Sequence, residues 1–193
     1  MKHLFSHTLL SLSILIFITS CQEKTSELSV NFSCENTTIL KNLESVKDFK
    51  NNFTIKTPKH WNTKLYYDNT QSEIFSADTI KSLSDTYIMD YSVISNTINI
   101  NEELQKKVKQ KTQDNAMETI KESFHKFKEF DAFANLSKGT SRGMDLHVFQ
   151  YYVKLNEEKY LLIKTEFYGD NDFDSRFCES ISLINKIKIH KNN

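Results

Sequence analysis

The stretch Phe53-Thr54-Ile55-Lys56-Thr57-Pro58-Lys59-His60-Trp61 decides how the rest of the chain is read. Its first five residues alternate apolar and polar side chains, the period-two pattern of a strand that buries one face. Pro58 has no N–H to give to a neighbouring strand. It closes the run, and residues 58–61 read as the turn that follows.

Downstream, alternation between turn residues predicts strands over 63–68, 72–77 and 86–95. In the last, Tyr87, Met89, Tyr91 and Val93 share one face, and Ile88 and Ile94 the other. Asn99, with Glu102 three residues on, is an N-terminal capping arrangement. Leu104, Val108, Ala116, Ile120 and Phe124 then recur at roughly four-residue steps, which predicts one long helix. Lys106, Lys107, Lys109 and Lys111 fall mostly off that stripe. They read as a solvated face rather than a contact for an anionic membrane, because Glu102, Glu103 and Asp114 dilute their field.

A strand over 129–137, a turn over 138–143 and a long hairpin of 144–155 with 159–168 follow. Apolar parity switches at Val148-Phe149, which implies either a bulge or burial on both faces. Asp172 or Asp174 caps a final helix whose stripe is Phe177, Ile181, Ile184 and Ile187. Upstream of Phe53, the helical spacing of Ile39, Leu40, Leu43 and Val46 predicts a short helix within 37–49. Parity and short connections together predict an α+β fold, an antiparallel β-sheet flanked by helices.

That element order, opened by an amphipathic strand, a proline and a nearby tryptophan, resembles the PsbP/Mog1-like family over roughly residues 50–190. The resemblance implies an αβα sandwich. Members are mostly non-catalytic accessory or binding proteins, among them extrinsic photosystem subunits, a small-GTPase binder and bacterial envelope lipoproteins. It therefore implies an interaction role rather than a reaction. It assigns no ligand or metal residue, because nothing beyond Phe53 to Trp61 matches position by position.

The start of the chain speaks to location. An apolar run from Leu9 to Ile18 follows Lys2 and closes on Ile18-Thr19-Ser20-Cys21. An apolar core of about 7–15 residues suits a cleaved secretory signal, whereas a spanning helix needs about 20. A branched apolar residue, two small residues and a cysteine resemble a bacterial lipoprotein signal. The expectation is cleavage between Ser20 and Cys21 and fatty acylation of the Cys21 thiol. Each buried methylene contributes about 0.8 kcal/mol, so two or three chains hold where one holds only marginally. The chain would then be lipid-anchored in a bacterial cell envelope, facing periplasm or cell surface. Its abundant Asn, Lys, Ile and Ser resemble proteins of AT-rich genomes and a Bacteroidetes-type envelope. On this reading residues 1–20 are the signal peptide, 21–36 a flexible tether rich in Ser, Thr, Glu and Asn, and 37–193 a single α+β domain.

Loss of residues 1–20 removes one charge, Lys2, and leaves 173 residues with 24 basic and 25 acidic side chains. A formal net charge of −1 argues against nucleic acid as a partner. Fourteen Phe, eight Tyr and one Trp supply a core, and three Gly and one Pro leave little for loops. With Cys21 acylated, Cys34 and Cys178 remain in a compartment that permits disulfides. They form either one bridge or two separate half-buried thiols, since spacing does not establish proximity. A bridge would close 144 residues of sequence, which in the chain-entropy model stabilises by about 5 kcal/mol.

No catalytic residue, metal ligand or cofactor is expected. Asp170-Asn171-Asp172-Phe173-Asp174 starts like a calcium loop, but the sixth and twelfth positions hold Ser175 and Ile181 rather than glycine and glutamate. Acids at a helix start, favoured by its dipole, are the simpler account. His60, His125, His147 and His190 have no zinc spacing, and no HExxH, CxxC or GxSxG occurs. Asp145 and His147 share a strand face, where a carboxylate could orient a basic imidazole, but no nucleophile lies near them in sequence. Asp78-Thr79-Ile80 resembles the short O-glycosylation acceptor of Bacteroidetes envelope proteins. The function expected is a non-enzymatic envelope lipoprotein that binds a protein partner. The alternative is a carrier of lipophilic small molecules in an aromatic-lined cavity.

Overall fold

The computed structural model describes residues 25–35 and 40–190. In chain order its elements are α1 (Glu27–Asn31), β1 (Leu43–Lys47), β2 (Phe53–Pro58), β3 (Asn62–Tyr67), β4 (Gln71–Ala77) and β5 (Tyr87–Ile94). There follow α2 (Glu102–Asp114), β6 (Glu118–Phe127), β7 (Phe130–Ser141), β8 (Met144–Lys154), β9 (Tyr160–Tyr168), α3 (Phe173–Asn185) and β10 (Lys188–Ile189). A seven-stranded antiparallel sheet runs β3-β4-β5-β9-β8-β7-β6, and a second sheet runs β1-β2-β10. The fold is α+β, with antiparallel sheet as its main component and helices against it.

Phe53, Ile55 and Thr57 are buried and alternate with half-exposed Thr54 and Lys56, as the parity of the opening stretch requires. Pro58 is the last residue of β2, opposite Leu43 of β1. The turn brings Trp61 against Tyr87, ring centroids 4.9 Å apart. Thr57 and Thr63 both meet the Ser76 hydroxyl, at 2.8 and 2.9 Å, so hydroxyl hydrogen bonds tie the small sheet to the large one.

The main apolar cluster fills the space between one face of the large sheet and the layer of α1, β2 and α3. It joins Leu28 and Phe32, Phe53 and Ile55, Tyr91, Phe149 and Ile163 of the sheet, and Phe177, Ile181 and Ile184 of α3. A smaller cluster lies on the opposite face, where Val108 of α2 packs on Phe133 and Tyr152.

The structure departs from the sequence reading at four elements. Residues 43–47 form a strand rather than a helix, because five register pairs with β2 provide hydrogen bonds that an isolated short helix lacks. Their hairpin is set by Asp48, whose carboxylate accepts from the N–H groups of Asn52 at 2.7 Å and Phe53 at 2.9 Å. The expected tether is not wholly loose: Glu27–Asn31 is helical, and Leu28, Phe32 and Cys34 are buried. The long helix stops at Asp114. Asn115 and Ala116, the latter at φ 54°, reverse the chain, and Ile120 and Phe124 belong to strand β6. The helix is capped by Asn101, not Asn99, with Asn101 Oδ1 accepting from Glu103 and Leu104 N–H at 3.1 Å. The last departure is that β7 runs on to Ser141, so the turn shrinks to Arg142-Gly143.

No bulge lies at Val148-Phe149, where the pairing with β7 and β9 is continuous. Both side chains are buried, one on each face, so burial on both faces explains the parity switch. Among the described residues, the register shift of the large sheet falls between Thr119 and Lys121 of β6. Asp172 precedes α3 in the left-handed region, φ 48°, and its side chain makes no cap hydrogen bond.

Candidate functional site

Ser20 and Cys21 lie outside the described residues. Cys34 and Cys178 are joined by a disulfide, their Cα atoms 5.1 Å apart, which ties the segment after α1 to the middle of α3. Ring contacts continue the attachment: Phe32 meets Phe149 at 5.4 Å and Phe177 at 5.8 Å.

Asp145 and His147 share a face of β8, but they do not form a pair. Asp145 faces Lys138 at 3.5 Å, and the carboxylate nearest His147 is Asp170, 3.6 Å from Nδ1. That separation is beyond hydrogen-bond range, and among the described residues Nδ1 has no hydrogen-bond partner. The ring is buried, with Phe173 stacked on it at a centroid distance of 3.9 Å. Burial pushes its pKa below the ordinary imidazole value, with Lys138 acting in the same sense and Asp170 and Asp145 against it. The ring is thus covered by phenylalanine, with the Asp170 carboxylate beside it but outside hydrogen-bond distance.

The acidic run 170–174 is likewise engaged. Lys138 Nζ donates to Asp170 at 3.0 Å, and this hydrogen bond holds the carboxyl below its usual range. Beside it, buried Arg176 staples the end of the sheet. Its guanidinium donates to the carbonyls of Asn171 at 2.9 Å, Thr86 at 2.7 Å, Tyr168 at 3.3 Å and Gly169 at 2.8 Å. Five fixed donors in one plane make arginine the side chain able to serve four carbonyls at once. Asp78 is buried. Burial alone would raise its pKa, but the Ile80 and Lys81 N–H groups and His60 hold it low, leaving Thr79 exposed on the loop. The lysines of α2 are all exposed, and Lys107 pairs with Glu103 at 2.7 Å.

What the sequence reading missed is the contrast between the two edges of the large sheet. At β6 the edge is covered in part: Glu27 of α1 accepts from the backbone N–H of Lys126 at 2.9 Å, and the Thr119/Lys121 irregularity interrupts the ladder with β7, while Ile120 and Phe124 stay exposed. At β3, among the described residues, no strand pairs with the outer side. This six-residue strand has one lysine, no bulge, and Tyr66 and Tyr67 exposed to 50% and 63%. Phe49, 61% exposed, packs against Tyr67 with ring centroids 5.0 Å apart and the planes tilted by 55°, so the aromatic pair stands together on the surface. A cavity of about 220 Å³ adjoins Tyr66, walled by Lys64, Phe75 and Thr79. The signal for this patch was adjacent Tyr66-Tyr67, since neighbours on a strand point to opposite faces and one of them must leave the core.

No protein-family model and no curated protein matches the chain. Among solved structures it is similar to cyanobacterial PsbP (CyanoP) from Synechocystis, with a TM-score of 0.57 at 10% identity over 79% of this chain and 95% of that one. It is also similar to protein PA94 from Pseudomonas aeruginosa, with a TM-score of 0.52 at 8% identity over 79% of this chain and 99% of that one. At such identities the likeness speaks for architecture alone: the chain has a PsbP-like fold.

Proposed function

We propose that the chain is a lipid-anchored bacterial envelope protein that holds a protein partner along the free edge of β3 and performs no chemistry of its own. The observation that carries this reading is an open strand edge flanked by three exposed aromatic rings, Phe49, Tyr66 and Tyr67. An added strand gains main-chain hydrogen bonds from such an edge, and specificity from side chains on either side of it. Tyrosine is enriched among the few residues that carry most interface energy. The anchor rests on Ile18-Thr19-Ser20-Cys21. The carrier reading is the weaker one, because the core aromatics touch one another: Phe149 and Phe167 lie 5.4 and 5.9 Å from Phe177.

Crosslinking in cells, followed by purification of the tagged full chain, is expected to recover one partner in stoichiometric amount. Phe49→Ala with Tyr67→Ala should lower that recovery at least about tenfold, equivalent to about 1.4 kcal/mol, while leaving the urea midpoint unchanged. Undiminished recovery from the double variant removes the β3 edge as the site. Cys21→Ser should release the protein from membranes, and unchanged fractionation removes the anchor.

A further inference from the structure

On the far side of the molecule from β3, a cleft of about 990 Å³ opens beside α1. Its floor is apolar, made by Leu28, Leu40, Leu43 and Phe127. Its rim carries Lys56, Lys126, Lys128, Lys186 and Lys188 against two acids, Glu27 and Glu35. These lysines come from β2, from the end of β6 and its turn, and from the end of α3 and β10. No run in the sequence announces them. Among the lining residues alone the excess is three positive charges; Asp131, paired with Lys126, and Glu129, beside Lys128, stand just outside the lining and reduce it to one, against a formal net of −1 for residues 21–193.

The charges are only partly answered from within. Lys126 pairs with Asp131 at 2.5 Å, and Lys128 donates to the Ile187 carbonyl. Among the described residues, Lys56, Lys186 and Lys188 have no carboxylate within 4 Å. Burial lowers the Lys128 pKa, with Lys188 adding repulsion and Glu129 opposing. Ammonium groups gathered over apolar side chains match a surface that is anionic above and apolar below.

Chain length decides which surface. Thr25 lines the cleft. Cys21 stands four residues before it, a reach of at most about 14 Å. We infer that this lysine-rimmed cleft seats on the anionic phospholipid headgroups of the membrane into which Cys21 is anchored. The inference rests on the anchor reading above. The tether makes a contact that is weak on its own effectively intramolecular. It also orients the domain. The β6 edge lies beside the membrane, and β3, six strand spacings or about 29 Å away across the sheet, faces outward toward its partner.

The test uses the purified full chain reconstituted through its own anchor into vesicles of phosphatidylcholine, alone or mixed with phosphatidylglycerol. An amine-reactive label is then read lysine by lysine by mass spectrometry. Labelling of Lys56, Lys186 and Lys188 should fall at least about fivefold relative to Lys106 and Lys109 on the phosphatidylglycerol vesicles only. It should recover in about 1 M salt, where screening shortens to about 3 Å. Lys186→Glu with Lys188→Glu should abolish the protection of Lys56. Equal labelling on both vesicle types, or protection that survives the double variant, overturns the inference while leaving the anchor intact. An N-terminal peptide without acyl mass on Cys21 overturns the anchor reading itself, and this orientation with it.

Discussion

His125 and His147 are two residues at which the fold controls a charge near neutral pH. His147 is buried under Phe173, and half-buried His125 stacks on Tyr151 and meets its hydroxyl at 3.0 Å. Burial is the main cause lowering both pKa values below the ordinary 6.5. The unfolded chain therefore binds protons near pH 6.5 that the folded chain refuses. Their contribution to stability is whole above 6.5 and shrinks as pH falls from 6.5 toward the lowered folded values. Urea midpoints measured about one unit either side of that pH should differ in this direction, and His125→Gln with His147→Gln should flatten the difference. A slope that persists unchanged in the double variant would assign it to other groups. Sequence parity put Asp145 and His147 on one face correctly. It was silent on Lys138, Asp170 and Phe173, which reach His147 from β7, from the turn after β9 and from α3.

At the scale of elements, α2 depends on Asn101. Asn101→Ala should cost about 1 kcal/mol, read as a lower urea midpoint with the slope unchanged, whereas Asn99→Ala should cost nothing measurable. The opposite ranking would mean that the cap lies where the Asn99/Glu102 spacing put it. The overrun of the predicted helix has a simple origin. Steps of four residues satisfy a helix of period 3.6 and a strand of period two alike, so Ile120 and Phe124 extended the stripe of Leu104 and Val108 without a break in pattern. The break lies in the backbone, at Asn115 and Ala116. A comparable ambiguity hid β1, since Leu43 and Val46 are three apart and only pairing with β2 decides the matter.

For the whole molecule, the Cys34–Cys178 bridge closes 144 residues. Cys34→Ser with Cys178→Ser is expected to lose about 5 kcal/mol in the chain-entropy model, a large part of the roughly 5–15 kcal/mol of a typical domain. Intact mass after alkylation of denatured protein without reductant should show no label on either cysteine; two labels would exclude the bridge in solution. What the amino-acid order determined by itself is local: which segments alternate, where Pro58 and the Gly143 turn interrupt them, and hence an α+β fold with one-sided strands. Those features depend on side-chain periods and on backbone groups a few residues apart. Tertiary structure alone decided that, among the described residues, β3 has no strand on its outer side and β6 is partly covered by α1, that Cys34 meets Cys178, and that five scattered lysines share one rim. The reason is that strand order and the docking of α1 and α3 are set by packing between residues far apart in the chain, and no local period encodes that.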